Sequence, residues 1–252
     1  MISMTKDTSW KKVGKWYDQI VSKEGHYYHQ EVIFPKLKEW LKFEVGDALL
    51  DLGCGQGVLS HQLPAKTAYF GLDLAPSLID KAKEYAPKHQ FFVRDVTEPL
   101  KIKKTDFSHA IFVLSLQNIE NPGKALEQAS SHLRKGGKLT LVLNHPCFRI
   151  PRQTHWDINH DKKLQSRRID RYMTPMEIPI EMSPGDQKKS SKTFSFHFPL
   201  STICHLLHQA GCVITRVDEW CSNKKSTGKW AKMENRARTE FPLFLAIEST
   251  KT

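Results

Sequence analysis

The sequence predicts an α/β fold: a mostly parallel sheet of seven strands with helices on both faces. Three observations predict it. From residue 48 to 143, short apolar runs alternate with segments of helical periodicity. The first apolar run ends in a turn with glycine at every second position, Gly53, Gly55 and Gly57, and a helix start follows at Val58. A strand, a tight glycine turn and a helix form the opening unit of a doubly wound sheet. Finally, 252 residues with 39% apolar and 26% charged side chains suit one α/β domain carrying an insertion, not a disordered chain.

Each element has its own signal. Residues 9–22 and 27–42 read as helices. The second places Tyr28, Val32, Phe34, Leu37, Trp40 and Leu41 at roughly helical spacing, with a bend expected at Pro35. Residues 48–52, 68–73, 90–93 and 107–114 read as strands one to four. A helix opens at 58–63. Another covers 75–85, with Pro76 at a permitted early position. Asn121–Pro122 opens a helix over 121–133, with Gly136 and Gly137 as its closing signal and strand five at 138–143. The rhythm breaks over 146–198, which is rich in Pro, Ser and charge. It returns as a helix over 200–210 and strands at 213–217 and 241–248. The expected organisation is one domain with four parts: an N-terminal helical lid (1–45), a cofactor-binding half (46–145), a substrate-side insertion (146–198), and a C-terminal helix and hairpin (199–252).

Composition narrows the class. The N-terminus lacks an apolar core of signal-peptide length, and no run of eighteen apolar residues occurs, so a cytoplasmic protein with no membrane segment is expected. Five cysteines without C-x-x-C spacing predict reduced thiols. The H-x-x-H pairs His26/His29 and His205/His208 lack a third ligand nearby, so no metal site is expected. Net charge is +11. Residues 149–192 hold ten basic against six acidic side chains, and 221–240 hold six against two. Such segments favour an acidic small molecule or a nucleic acid.

The glycine turn specifies the ligand further. A dinucleotide fingerprint requires a third glycine where Val58 stands, and no Gly-Lys-Ser/Thr of a phosphate loop follows. The pattern present, Asp51-x-Gly53-x-Gly55-x-Gly57, resembles motif I of the class I S-adenosylmethionine (SAM) methyltransferases. "FGLDLAP" (Asp73), "VRDVTEPL" (Asp95), "DFSHAIFVLSLQNIENPGKAL" and "LRKGGKLTLV" follow in that family's order, over about residues 10–248. The resemblance implies SAM as cofactor and S-adenosylhomocysteine as product, with the last strand of the sheet antiparallel. It implies that Asp51 supplies charge near the cationic end and that the glycine amides face the carboxylate and sugar. Asp73 would take the ribose hydroxyls and Asp95 the adenine edge. Cys54 (a loop filler, not a nucleophile), Leu74, Val96, Leu114 and Ser115 would complete the cofactor wall. Asp51 and Asp73 also suit helix caps, and Asp95 a turn.

Three side chains are candidates for catalysis. His145, at the end of strand five, is either a general base or a residue shaping the loop before Pro146. In related enzymes a Tyr-Asp segment near the N-terminus closes over the cofactor. Tyr17 at the cofactor, with Tyr28 and His29 at the acceptor, fit such a lid or an ordinary packed helix. The insertion carries Trp156, Tyr172, Met173, Met176, Phe194 and Phe196 among its charges. That mixture suits a small-molecule acceptor, which is favoured, or RNA with stacked bases. The remaining expectations are a monomer or homodimer and, as other readings of the glycine turn, a non-catalytic SAM-binding protein or a nicotinamide oxidoreductase.

Overall fold

The computed structural model describes residues 25–181 and 192–252. Seven strands form one sheet: β1 (Ala48–Leu52), β2 (Ala68–Asp73), β3 (Gln90–Val93), β4 (Phe107–Val113), β5 (Leu133–Asn144), β10 (Cys212–Trp220) and β11 (Phe244–Lys251). Their order is β3-β2-β1-β4-β5-β11-β10, and β11 runs antiparallel to both neighbours, as expected. The central strand pairs with β2 on one side, Asp51 opposite Gly71, and with β4 on the other, Asp51 opposite Ile111. The winding direction therefore reverses beside β1. A crevice opens at the carboxyl ends of such strands.

All five residues of β1 are buried, because helices cover both faces. On one face Leu50, Leu52 and Phe112 pack with Leu126 and Ala129 of α3 (Pro122–His132) and with Leu207 of α4 (Leu200–Gln209). On the other, Leu49 and Ile111 pack with Ile79 and Ala82 of α2 (Pro76–Tyr85) and with Phe34 and Leu37 of α1 (Phe34–Trp40). Just before α1 the backbone widens over His29–Ile33, where the Phe34 N–H reaches back to the His29 carbonyl. Pro35 has no N–H to continue the regular ladder, so the expected bend takes the form of one wide turn. It brings the His29 ring to 5.4 Å from Phe34, nearly parallel.

Several elements differ from expectation, the helix expected at 58–63 being a short 3-10 helix, Val58–Gln62. Gly136 and Gly137 do not cap α3; they lie inside β5, which begins at Leu133. The pairing with β4 jumps from Phe107–Leu133 to His109–Lys138, so the glycines form a bulge. Gly136 takes φ +75° there, and a Cβ on Gly137 would stand 2.8 Å from the Arg134 carbonyl oxygen. The last strand starts at Phe244, three residues late, after Pro242. The insertion holds two hairpins, β6 (Thr154–Asn159) with β7 (Leu164–Ile169) and β8 (Met176–Glu181) with β9 (Lys192–His197). In the first, β6 is exposed along almost its whole length, so no alternation marks it. The basic segment near 221–240 contains α5 (Ala231–Glu240), which buries only Met233 and Ala237. No helix among the described residues is long and apolar enough to cross a membrane.

Candidate active site

The glycine turn closes by bonding to the protein itself. The N–H groups of Gly53 and Cys54 donate to the Leu72 carbonyl (2.7 and 2.9 Å), and that of Gly57 donates to the Cys54 carbonyl (3.0 Å). The Gly55 N–H donates to Asp73 Oδ2 (2.9 Å). These four amides are thus occupied, and the turn offers a ligand shape rather than donors. The missing side chains have two causes. Gly53, Gly55 and Gly57 all have positive φ, at +74°, +56° and +77°. In addition, a Cβ on Gly53 would stand 2.4 Å from Ser115 Cβ, and one on Gly57 would stand 2.8 Å from the Phe91 ring.

Beside this turn lies a cavity of about 820 Å³, within the range of small-molecule sites. Gly53, Gly55, Asp73, Leu74, Asp95, Val96, Leu114 and Ser115 line it. Asp51, Cys54 and Gly57 stand behind that wall. Cys54 is buried, and burial raises its thiol pKa well above the usual value, in keeping with a filler role. Tyr17 lies outside the described residues.

The three acids differ in setting. Asp73 ends β2, and its carboxylate also accepts the Ala75 N–H (2.8 Å), tying down the start of α2. Cap and ligand roles are compatible, because each carboxylate oxygen accepts more than one bond. Burial raises the Asp73 pKa against the pull of these N–H donors. Asp95 Oδ1 accepts the Thr97 N–H (2.9 Å) and hydroxyl (2.7 Å), a closed turn, and its second oxygen takes no bond from the described residues. Asp51 is 2% exposed. Its Oδ2 accepts the Tyr69 hydroxyl (2.6 Å), while Oδ1 has no partner among the described residues. Burial, opposed by the Tyr69 bond and assisted by the nearby Asp73 charge, lifts its pKa to about 7.

The opposite end of the cavity is lined by His26, His29, Gln117, Asn144 and, from the hairpin β8–β9, Ile180, Thr193 and Ser195. Three buried polar atoms here have no partner among the described residues: His29 Nδ1, Gln117 Oε1 and Thr193 Oγ1. Such atoms cost free energy unless something bonds them. Leu114, between the two ends, takes a left-handed φ of +53°. Its carbonyl accepts from Gln117 Nε2 (2.9 Å) and Asn118 Nδ2 (3.3 Å), which hold the turn in place. Ser115 donates its hydroxyl to the Leu52 carbonyl (2.7 Å), the local backbone bond that is this residue's ordinary alternative to a ligand contact.

The candidate catalytic side chains fall in different places. His29 lines the cavity. Burial, with a smaller contribution from His26, lowers its pKa to about 3, so it is neutral at physiological pH. Tyr28 is absent from the cavity wall; its hydroxyl pairs with Ser222 Oγ (3.3 Å) and its ring meets Phe244 edge-on at 5.8 Å. His145 also lies outside that wall. Its Nδ1 accepts the Cys147 and Phe148 N–H groups (3.1 and 3.3 Å), which places the proton on Nε2, where it donates to Glu219 (2.6 Å). Both nitrogens are engaged, so the geometry favours the loop-shaping role. The residues that sequence reasoning missed are Thr193, Ser195 and Ile180. Their only signal is alternation on a strand too short and too polar to stand out.

The sheet order, the cavity at its switch point and the acids on successive strand ends define the class I methyltransferase fold. A family model described as a methyltransferase domain matches residues 25–217, and the chain belongs to that family. The S-adenosylmethionine-dependent methyltransferase of Mesorhizobium loti superposes with a TM-score of 0.67 at 23% identity, over 86% of this chain and 96% of its own. The ubiquinone biosynthesis O-methyltransferase of Coxiella burnetii is 31% identical over 98 residues, 37% of this chain and 42% of that protein. The demethylmenaquinone methyltransferase of Chlamydia pneumoniae is 27% identical over 114 residues, 44% of this chain and 48% of that protein. The chain thus spans under half the length of the curated relatives it matches.

Proposed function

We propose that this methyltransferase transfers the methyl group of SAM to a small molecule held under the hairpin β8–β9. The observation that carries this reading is that His29, Gln117 and Thr193, each with a buried polar atom that has no partner among the described residues, line one end of a cavity whose other end carries Asp73 and Asp95. The residues fit the cofactor. Asp73 has lone pairs left for ribose hydroxyls, the free oxygen of Asp95 suits an amino edge, and the negative charge of Asp51, just behind the wall, suits the cationic end. When bound, SAM supplies a methyl group already activated by its sulfonium. The protein's task is then alignment and exclusion of water. His29, with its proton on Nε2, accepts a hydrogen bond from the acceptor through Nδ1 and orients it. The two curated relatives' names both carry a quinone, so hydroxylated aromatic acceptors come first.

RNA is the weaker reading, because among the described aromatic side chains of the insertion only Trp156 is exposed. Trp156 lies beneath Arg167 (4.8 Å) and against Phe241, Tyr172 accepts the Leu200 N–H through its hydroxyl (3.0 Å), and Phe196 is buried. The test is incubation with SAM labelled in its methyl group, with quinols and catechols in one arm and total RNA in the other. Label should enter a small aromatic acceptor. His29→Ala should lower this transfer at least tenfold while S-adenosylhomocysteine still binds. Label in RNA alone would replace the small-molecule reading.

A further inference from the structure

The loop after β5 carries Arg149, whose own N–H donates to the His145 carbonyl (2.9 Å). Its side chain is half-buried, with the guanidinium carbon 5.8 Å from the centre of the Phe244 ring. Among the described residues it makes no side-chain hydrogen bond and no ion pair. The other half-buried arginines differ: Arg94 bonds the Val93 and Leu100 carbonyls, Arg167 bonds the Phe148 carbonyl and Thr154, and Arg238 bonds Ser226. Burial holds the Arg149 pKa below the usual guanidinium range. The side chain set against this effect is the Tyr28 phenol, not a carboxylate. Its charge in turn contributes to lowering the pKa of His26, in the cavity wall, and that of Arg167. A half-buried cation with no acceptor is costly, and an anion at the site would relieve it.

Arg149 also lines a small apolar annex of about 50 Å³, walled by Leu116, Leu143, Ile150, Phe196 and Ile203. The annex shares Gln117, Asn144, Pro151 and Ser195 with the large cavity, so the two spaces are adjoining. A guanidinium presents two parallel donors that match a carboxylate.

We infer that Arg149 is an acceptor-binding residue, and that the methyl acceptor is an aromatic or other apolar carboxylic acid whose carboxylate pairs with Arg149 beside the annex. This rests on the small-molecule reading of the same cavity. It adds a charge requirement that neither the fold nor a quinone-type acceptor demands.

The test uses the full chain saturated with S-adenosylhomocysteine and titrated calorimetrically with benzoate, 4-hydroxybenzoate and their methyl esters. At least one acid should bind, with its ester at least tenfold weaker. Arg149→Met should lose that acid to a similar extent, and Arg149→Lys should retain part of the affinity because charge survives without the fork. Both variants should bind S-adenosylhomocysteine as the wild type does. Should Arg149→Met lose S-adenosylhomocysteine through misfolding, the acid-to-ester ratio on the wild type decides. Acid and ester binding alike, acid affinity unchanged in Arg149→Met, or no acid binding to loaded protein would overturn the inference. Failure of S-adenosylhomocysteine to bind the wild type would instead overturn the cofactor reading on which it rests.

Discussion

Replacing Asp51 with asparagine is expected to stabilise the empty protein and, in the same variant, to weaken its hold on SAM. The carboxylate sits 2% exposed with a pKa of about 7, raised by burial from an ordinary value of 3.8. An acid whose pKa is raised on folding binds its proton more tightly in the folded state. The wild type therefore gains stability as pH falls from above 7 towards 4, and carries its full penalty above 7. At 1.36 kcal/mol per pH unit, that penalty is on the order of 4 kcal/mol at pH 8. Asn keeps an acceptor for the Tyr69 hydroxyl and removes the buried charge. The variant should melt higher than the wild type at pH 8, and the difference should shrink towards pH 4.

Cofactor binding should move the other way. A cationic ligand prefers ionised Asp51, which is roughly one-tenth populated at pH 6 and nine-tenths at pH 8. Wild-type affinity for SAM should rise about tenfold over that range, in line with this population change. The variant should lose the rise and bind more weakly than the wild type at pH 8, because the attraction of the buried charge is gone. Thermal melts and titrations at pH 6 and pH 8 measure both effects. Lower stability in the variant, with unchanged affinity, would make Asp51 a purely structural acid.

Gly53→Ala is expected to cost about 3–5 kcal/mol, enough to endanger folding. Two effects add. The residue must hold φ +74°, which costs an L-residue about 1–2 kcal/mol. Its Cβ would also stand 2.4 Å from Ser115 Cβ. Ser115 cannot easily retreat, because its hydroxyl is bonded to the Leu52 carbonyl at 2.7 Å. Gly136→Ala is the matched control. Its φ is +75°, yet a Cβ there meets nothing within 4 Å, so only the backbone strain remains. Denaturant unfolding of the two variants separates clash from strain. Equal losses would remove close packing as the reason for the glycine at 53.

The half of the chain that forms the cofactor end was legible in the sequence, and the acceptor end was not. Strands β1 and β4 are buried on both faces, so their apolar runs are continuous and their ends are sharp. Asp73 ends β2 and Asp95 lies two residues past β3, where position alone assigns them to the crevice, and Asp51, one residue before the end of β1, stands just behind it. The start of β5 was obscured because a glycine pair serves a strand bulge as well as it serves a helix end. Strand β6 lacks alternation because water covers both of its faces. The fate of His145 depends on Glu219, and the environment of Arg149 on Phe244, 95 residues away. No local pattern records such contacts. Thr193 and Ser195 enter the site through the folding-over of β9, on an alternation with Phe194 and Phe196 too short to distinguish them from the serines and lysines before it.

The most direct test of the central claim is calorimetric titration of the wild type and Asp73→Ala with SAM, S-adenosylhomocysteine and NAD. The account predicts one site of micromolar affinity for both adenosyl ligands and no comparable binding of NAD. Asp73→Ala should weaken the adenosyl ligands by about 2–3 kcal/mol, the loss of charge-assisted bonds. Tight NAD binding without SAM, or adenosyl ligands that bind Asp73→Ala as well as the wild type, would contradict it.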